Sequence, residues 1–253
     1  MMAEFMDGLF SIFFIETLMN ALLLGGVFAL LSLGLNLIFG VIDVVWICYA
    51  EIIMLGMYGI FFLHAEAGMP IVLASCCGVG LTALIGWLTH RFIIGYLLQA
   101  EPINQLLATG GLLFFFQGVA MVVFGIEFRN IGISLGSLAV SEDIYLSWTR
   151  LLSFALATLV VIALYLFLTR SYLGAAIRAI SQDREIMILM GVDTKRLYLL
   201  TSAIGGGLAG LGAALLVLQY DVHPFIGLSF GPITFMICVM GGLGNLVGGF
   251  LAA

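Results

Sequence analysis

The sequence predicts an all-α protein, a bundle of transmembrane helices. Hydrophobic residues make up 63% of the 253 residues and charged residues only 9%, whereas soluble domains carry roughly 25% charged residues. The mean hydropathy is +1.25, and apolar runs of about 20 residues, the length that crosses a bilayer, recur along the chain. This composition and hydropathy indicate that the lipid bilayer surrounds the protein. The formal net charge of −6 gives no basic footprint for nucleic acid.

Short polar stretches divide the apolar runs into about seven expected spans, all within one transmembrane domain over residues 1–253. The expected spans cover residues 10–39, 44–63, 71–90, 105–124, 151–168 and 197–218, with a glycine-rich seventh span after a break at 219–224. The chain stops inside an apolar run without a polar anchor, so we expect a C-terminal part to be missing.

One polar stretch, residues 170–196, holds five of the eight Lys and Arg residues. Loops rich in Lys and Arg stay on the cytoplasmic side, which places this stretch inside the cell. Counting the spans back from it places the Arg91 loop inside as well and the N-terminus outside. Apolar residues recur at helical spacing up to Met190, Gly191 predicts a helix stop, and Asp193 or Thr194 predicts the next helix cap. We interpret the stretch as one cytoplasmic amphipathic helix that offers a surface to a soluble partner. A helix lying on the lipid headgroups also fits the pattern.

Two acidic residues flank an apolar segment after the first span. Asp43 is expected to be a helix N-cap at the membrane interface. Glu51 lies deeper, where an ionised acid costs about 2.5–3.5 kcal/mol, so it is expected to face a protein interior or a wet cavity. It is a candidate for the transport pathway or for a structural polar network. Three uncharged polar residues inside apolar spans are expected to form interhelical hydrogen bonds: Asn36, Thr109 and Gln117.

No motif in the sequence predicts catalysis, a metal site or a nucleotide site. GxxxxGKS/T and HExxH are absent, and two G-x-S-x-G matches, at 132–136 and 227–231, lack the strand–turn–helix context of a nucleophile. Glycines at four-residue spacing, Gly206/Gly210 and Gly244/Gly248, are expected to let helices pack closely. We therefore expect no enzyme activity and no cofactor, and any ATP would be bound by a partner subunit.

Several blocks occur in order along nearly the whole chain. They read GLNLIFGV at 34–41, LGAAIRA at 173–179, LMGV at 189–192 and VMGGLG at 239–244, with Glu51 between the first two. This set resembles the membrane-spanning permease subunits of ABC importers for branched-chain amino acids, a family that also serves urea and short amides.

The resemblance implies an ABC permease of the bacterial inner membrane whose cytoplasmic helix docks into the ATP-binding subunit. The coupling residues it implies are Arg178, Asp183, Arg184, Glu185 and Gly191. The implied partners are ABC ATP-binding subunits, a second homologous permease subunit and a periplasmic or extracellular substrate-binding protein. The implied cargo is a branched-chain amino acid or a related amino acid or amide. The candidate translocation pathway consists of Asn36, Tyr49, Glu51, Thr109 and Gln117.

The sequence departs from the family pattern directly before Glu51. Residues 46–50 read WICYA where the family has NFAHG, and the bulky aromatic residues beside Glu51 leave the cargo open. Two other classes also stay open: a stand-alone channel or ion-coupled secondary transporter that uses Glu51, and a structural membrane scaffold.

Overall fold

A computed structural model describes residues 2–98, 100–133, 136–141 and 144–253. Within these residues, five helices are long and apolar enough to cross a membrane, which confirms the predicted all-α membrane bundle. They lie in α1 (Met2–Ile42), α3 (Ile71–Thr89), α5 (Pro102–Phe124), α6 (Trp148–Arg170) and α9 (Thr194–Leu216).

Shorter elements occupy the connections and two broken apolar segments. The short helices are α2 (Tyr49–Phe61), α4 (Gly95–Leu97), α7 (Tyr172–Gln182), α8 (Arg184–Leu189), α10 (Ile226–Gly241) and α11 (Leu246–Ala252). Single π-helical turns, Phe62–Glu66 and His90–Ile94, extend α2 and join α3 to α4. The loop between α5 and α6, for which no strand was predicted, contains an antiparallel hairpin of β1 (Ser137–Ser141) and β2 (Ile144–Ser147).

The central helix of the bundle is α1. It packs against α6, α9, α10 and α11, and every residue from Val27 to Phe39 is buried. By contrast, α3, α5 and α6 bury only a minority of their apolar residues and form the perimeter. A helix that is hydrophobic on all sides is stable in the centre of such a bundle, whereas the perimeter helices expose their apolar faces to lipid.

Glycines set the closest approach between α3 and α9. A Cβ atom at Gly206 would lie 3.2 Å from the Cα atom of Gly86, and a Cβ atom at Gly210 would lie 2.8 Å from the Cα atom of Val79. The predicted packing role of Gly206 and Gly210 is thus confirmed. The Gly244/Gly248 pair does not form one helix face, because Gly244 lies outside a helix with a φ of 80°.

The second predicted span, residues 44–63, is not one continuous helix. The chain leaves α1 after Ile42, and α2 begins only at Tyr49. Asp43 adopts a left-handed φ of 57°, which Asp tolerates better than most residues, and its N–H group donates to the Phe39 carbonyl at 3.0 Å. Asp43 therefore terminates α1. The predicted N-cap role of Asp43 is wrong, because the residue at the N-cap of α2 is Cys48.

The seventh predicted span is also divided. A turn over 242–245 separates α10 from α11, and both Gly242 and Gly244 have positive φ angles. The Oδ1 atom of Asn245 accepts a hydrogen bond from the N–H group of Gly248 at 3.1 Å and so begins α11. Hydropathy alone joins these helices because both are apolar, whereas the glycines permit the turn.

The two ends of the bundle differ in charge. One end, which we call the basic end, carries six of the eight Lys and Arg residues: Arg91, Arg170, Arg178, Arg184, Lys195 and Arg196. Arg129 and Arg150 lie at the other end, which we call the opposite end. They reduce the charge asymmetry between the ends without reversing it.

Arg129 connects three elements at the opposite end. Its guanidinium group donates to the Phe124 carbonyl at 3.0 Å, lies 5.0 Å from the centre of the Phe62 ring, and is 3.8 Å from the Glu66 carboxylate. Its backbone exchanges hydrogen bonds of 3.0 and 2.7 Å with Val222. The loop after α5 is thereby attached to the end of α2 and to the connection between α9 and α10.

Candidate functional site

The Glu51 carboxylate is the central polar group of the candidate site. Glu51 lies in the first turn of α2 and is completely buried. Its Oε1 atom accepts a hydrogen bond of 3.0 Å from the Nε2 atom of Gln117 on α5. Its Oε2 atom has no hydrogen-bond partner among the described residues. Because an unsatisfied buried polar atom costs about 1–3 kcal/mol, this carboxylate is a candidate for binding a ligand.

Two glycines, one helical turn apart, bring α10 close to α2. A Cβ atom at Gly227 would lie 2.7 Å from Oε1 and 2.9 Å from Oε2 of Glu51, and a Cβ atom at Gly231 would lie 2.9 Å from the Cβ atom of Ala50. The carboxylate therefore packs against the α10 backbone. The G-x-S-x-G match at 227–231 gave no indication of this packing. The four-residue glycine spacing used for Gly206 and Gly210 also occurs here and indicates close helix packing, but it does not identify Glu51 as the partner.

Neighbouring helices hold the non-helical segment in front of α2. The Oγ1 atom of Thr109 on α5 donates to the Val45 carbonyl at 2.9 Å, and the Tyr49 hydroxyl donates to the Gly205 carbonyl on α9 at 3.4 Å. Backbone groups outside a helix need such partners at membrane depth. Thr109 was expected to bond between helices, but its partner Val45 lies outside a helix, so the bond joins α5 to the non-helical segment.

An apolar cavity of about 320 Å³ lies between this segment, α1, α5 and α10. Its lining includes Leu35, Trp46, Tyr49, Leu113, Gly227 and Phe235. Apolar walls with a few polar groups nearby are typical of small-molecule sites. Gly227 contacts the Glu51 carboxylate and also forms part of the cavity wall, so the acid and the cavity are adjacent.

The structure brings four of the five predicted pathway residues to this region: Tyr49, Glu51, Thr109 and Gln117. Asn36 forms no hydrogen bond with them in the described structure. Its Oδ1 atom accepts a hydrogen bond from the N–H group of Gly244 at 3.2 Å, and its amide nitrogen is buried against Gly249 without a hydrogen-bond partner among the described residues. Asn36 therefore attaches the turn between α10 and α11 to the central helix.

The predicted coupling segment forms two helices rather than one. Asp183 ends α7 with an extended backbone, and its Oδ1 atom accepts a hydrogen bond of 3.0 Å from the N–H group of Ile186 in α8. Gly191 follows α8 with a φ of 80°, and the Oδ1 atom of Asp193 accepts from the N–H group of Arg196 at 3.1 Å. The predicted single helix is wrong at Asp183, whereas the stop at Gly191 and the cap at Asp193 are confirmed.

One apolar face anchors α7 to the bundle. Gly174, Ile177 and Ile180 are buried on this face, and α7 contacts α1, α6 and α9. The tip of the following segment is apolar and open, since Leu189 is 85% exposed and Met190 is 74% exposed. Large apolar side chains that are this exposed are typical of an interaction surface.

The other predicted coupling residues are placed only in part. Arg178 is exposed on α7 and lines a small cleft beside Asn36. The side chains of Arg184 and Glu185 lie outside the described part of the structure. Across the residues that are described, no three His, Cys, Asp or Glu side chains form a group that would hold a metal ion.

Comparison with known proteins identifies the family. Residues 17–253 match the family described as branched-chain amino acid transport system / permease component. The chain is 29% identical over 252 residues to the high-affinity branched-chain amino acid transport system permease protein BraD of Pseudomonas aeruginosa, with 94% of this chain and 82% of BraD covered. It is 26% identical over 258 residues to the corresponding permease protein LivH of Escherichia coli K12, with 95% of this chain and 82% of LivH covered.

A shorter match relates the chain to an archaeal protein. It covers 97 residues at 31% identity, 37% of this chain and 31% of the probable branched-chain amino acid transport permease protein LivH of Methanocaldococcus jannaschii. No solved structure matches the chain. Because the family match extends over far more than half of its residues, this multi-pass membrane protein belongs to the family of branched-chain amino acid transport permease components.

Proposed function

We propose that this chain is the membrane-spanning permease subunit of an ATP-driven ABC importer for a branched-chain amino acid or a related solute. The observation that carries the proposal is the segment formed by α7 and α8. One face anchors this segment to α1, α6 and α9, and its apolar tip is exposed at the basic end. A soluble subunit that binds the tip would move the helices that α7 contacts and that reach the candidate site. Such a movement would be a rigid-body transition of the bundle between two states.

The energy source in this proposal is a separate polypeptide. The sequence has no nucleotide-binding motif, so ATP-binding subunits at the basic end would bind and hydrolyse the ATP. A second homologous permease subunit would pair with this one, and an external substrate-binding protein would deliver the cargo. The basic end would face the cytoplasm of a bacterial inner membrane, with the N-terminus outside.

The cavity and the named relatives support the proposed cargo. BraD and LivH are named as branched-chain amino acid permease proteins, and an apolar cavity of about 320 Å³ beside Glu51 has walls that suit an aliphatic side chain. The aromatic residue Trp46 forms part of these walls, in the stretch where this sequence departs from the family pattern.

A second candidate function is ion-coupled or channel-mediated transport without ATP. The observation that favours it is the buried Glu51 carboxylate, whose Oε2 atom lacks a partner in the described structure. Intramembrane acids of this kind serve as proton or ion sites in other transporters. The two functions differ in whether uptake requires ATP hydrolysis or an ion gradient.

The test of the coupling proposal uses two variants in cells that contain all subunits of the importer. Ile186→Pro removes the N–H group that Asp183 binds and disfavours a helical backbone at residue 185, directly before the proline. Leu189→Ala together with Met190→Ala removes the exposed tip. We expect both variants to insert normally but to lose co-purification with the ATP-binding subunit and ATP-dependent uptake.

The matched control replaces a similarly exposed apolar pair outside this segment. Leu159 and Ile162 on α6 are 62% and 54% exposed, and their replacement with Ala should leave both readouts unchanged. Normal uptake in both coupling variants would remove this segment from the mechanism.

A further inference from the structure

A cleft of about 310 Å³ lies at the basic end, between the segment that follows α3 and the start of α9. One wall comes from the π-helical turn His90–Ile94 and from α4, and the other comes from the first residues of α9. Among the described residues that line it, Arg91 and Lys195 are basic and none is acidic. We call it the basic cleft. It shares no residue with the cavity beside Glu51.

The two basic side chains of the cleft are not neutralised by described acidic residues. Both are exposed, and neither forms an ion pair with a described acid. The acid nearest to Lys195 in sequence, Asp193, is already engaged by Arg196. Its Oδ2 atom lies 2.9 Å from the Nε atom of Arg196, and its Oδ1 atom accepts the N–H group of the same residue at 3.1 Å. A cleft lined by charges of one sign attracts ligands of the opposite sign, so the basic cleft favours an anion.

Buried contacts hold the two walls of the cleft in place. His90 lines the cleft and is only 3% exposed, and its Nδ1 atom shares a hydrogen bond of 2.9 Å with the Oγ atom of Ser202 on α9. One helical turn earlier, a Cβ atom at Gly86 would lie 2.6 Å from the carbonyl oxygen of Ser202, so the two helices are in backbone contact there. The walls are therefore fixed before a ligand arrives, as in most small-molecule sites.

The position of the cleft matches the depth of lipid headgroups. Arg91 lies near the end of the apolar segment Ile71–Leu97, which is long enough to span a membrane. The helical rise of 1.5 Å per residue places it about 9 Å from that end. Lys195 is the second residue of the span Thr194–Leu216. Tyr96 lines the cleft and is exposed, and Tyr is enriched where a membrane meets water.

The lining of the cleft fits an amphipathic ligand. Leu98 and Leu199 lie in the lining together with the basic residues, and the neighbouring perimeter helix α3 exposes an apolar surface. Basic pockets between membrane helices bind the headgroups of anionic lipids. Phosphatidylcholine and phosphatidylethanolamine carry a cation beside the phosphate, and the described lining has no acid to receive it.

We propose that the basic cleft binds an anionic phospholipid, whose phosphate contacts Arg91 and Lys195 and whose acyl chains lie along the apolar surface of α3. The arrangement selects a lipid such as phosphatidylglycerol over a zwitterionic one. This inference goes beyond the proposed transport function and does not depend on it, because the site binds a component of the membrane rather than a transported solute.

The experiment measures tryptophan fluorescence of the purified chain in phosphatidylcholine vesicles. Trp87 lies four residues before Arg91, close to the acyl chains of a lipid held in the cleft. A minor fraction of the lipid is replaced by phosphatidylglycerol with brominated acyl chains, which quench nearby tryptophan, or by an equal amount of brominated phosphatidylcholine. We expect phosphatidylglycerol to quench more strongly, and this excess should disappear in Trp87→Phe.

The test variant combines Arg91→Gln with Lys195→Gln. We expect the association constant of phosphatidylglycerol relative to phosphatidylcholine to fall by roughly 10- to 30-fold, about three- to fivefold for each charge. The matched control combines Arg170→Gln with Arg178→Gln, which removes two exposed positive charges from the same end but outside the cleft. It should retain the preference, as should Lys195→Arg, which keeps the charge. An equal loss in both double variants would assign the preference to the overall charge of this end and would overturn the site.

Two further outcomes separate the lipid from other anions. Inorganic phosphate at millimolar concentration and constant ionic strength should leave the preference unchanged, because it has no acyl chains. If it removed the preference, the cleft would be a site for free phosphate and the lipid assignment would be wrong. If the Arg91→Gln and Lys195→Gln variant kept the lipid preference but no longer co-purified with the ATP-binding subunit, the two charges would belong to a protein contact and the inference would fail.

Discussion

Gly86 of α3 and Gly206 of α9 pack backbone against backbone. A Cβ atom added at either glycine would lie 3.2 Å from the Cα atom of the other, and one at Gly206 would also collide with the backbone carbonyl of Thr82. Because these neighbours are backbone atoms, a change of rotamer cannot make room for a side chain. This contact sets the distance between a perimeter helix and the interior of the bundle.

The first prediction is that Gly206→Ala destabilises the bundle. Forcing a methyl group into a packed interface costs about 1–3 kcal/mol, so the thermal unfolding midpoint of the purified protein in detergent should fall. The matched control is Gly80→Ala on the same helix pair. A Cβ atom at Gly80 meets no atom within 4 Å, and its midpoint should not fall. Equal midpoints for the two variants would contradict the close packing.

Hydropathy predicted the regular part of this fold well. The expected spans 71–90, 105–124, 151–168 and 197–218 correspond within a few residues to α3, α5, α6 and α9. In these helices the backbone satisfies its own hydrogen bonds, so an apolar run of sufficient length is enough to specify the element. The stop at Gly191 was also predictable, because a positive φ there favours glycine.

The broken segments were not predictable in the same way. Residues 44–48 are as apolar as a helix, but their backbone is supported by other elements, including the hydroxyl of Thr109, which lies 64 positions later and bonds to Val45. Hydropathy records which residues avoid water and carries no information about such distant partners. The contact between Gly227 and Glu51 has the same character, and only the glycine spacing in α10 hints at it.

The second prediction concerns this contact between Gly227 and Glu51. Gly227→Ala places a Cβ atom 2.7–2.9 Å from the carboxylate atoms, so the carboxylate must move away from Gln117 or α10 must shift. We expect a lower unfolding midpoint for Gly227→Ala in otherwise wild-type protein. In a Glu51→Ala background the same change should cost less, because the clashing group is absent.

A double-mutant cycle measures this coupling. For residues in contact, coupling energies are about 0.5–3 kcal/mol, and the control pair combines Glu51→Ala with Gly111→Ala. A Cβ atom at Gly111 has no neighbour within 4 Å, so its effect should be the same in both backgrounds. Additive effects of Gly227→Ala and Glu51→Ala would show that the two residues do not press on each other.

The third prediction is a pH dependence at the opposite end. His223 lies beside the Phe128 ring, with ring centres 4.6 Å apart. Burial lowers the pKa of His223 from its ordinary value of 6.5, and the negative charge of Asp221 offsets part of this effect. The folded form therefore binds fewer protons at His223 than the unfolded form. The contribution of His223 to the stability of the folded form is lost as the pH falls below 6.5 toward the lowered pKa.

Hydrogen exchange at Val222 gives a local measurement, because its N–H group is bonded to the Arg129 carbonyl at 2.7 Å. After correction for the intrinsic exchange rate, protection should be lower at about pH 5 than at about pH 7.5, across the range in which His titrates. In His223→Gln this difference should disappear. A difference that persists in the variant would assign the pH dependence to another group.

The last prediction fixes the orientation of the chain, on which the coupling proposal depends. Lys195 is the only lysine in the sequence and is exposed at the basic end, so a peptide labelled there by an amine reagent that does not cross membranes reports the side on which this end lies. Six of the eight basic residues lie at this end, and Lys and Arg are retained on the cytoplasmic side. We therefore expect Lys195 to be labelled in inside-out vesicles and to stay unlabelled in right-side-out vesicles. Lys195→Arg serves as the control, since it keeps the charge and removes the reactive amine. Labelling of Lys195 from the outer surface would place α7 and α8 outside the cell, where no ATP-binding subunit could reach them.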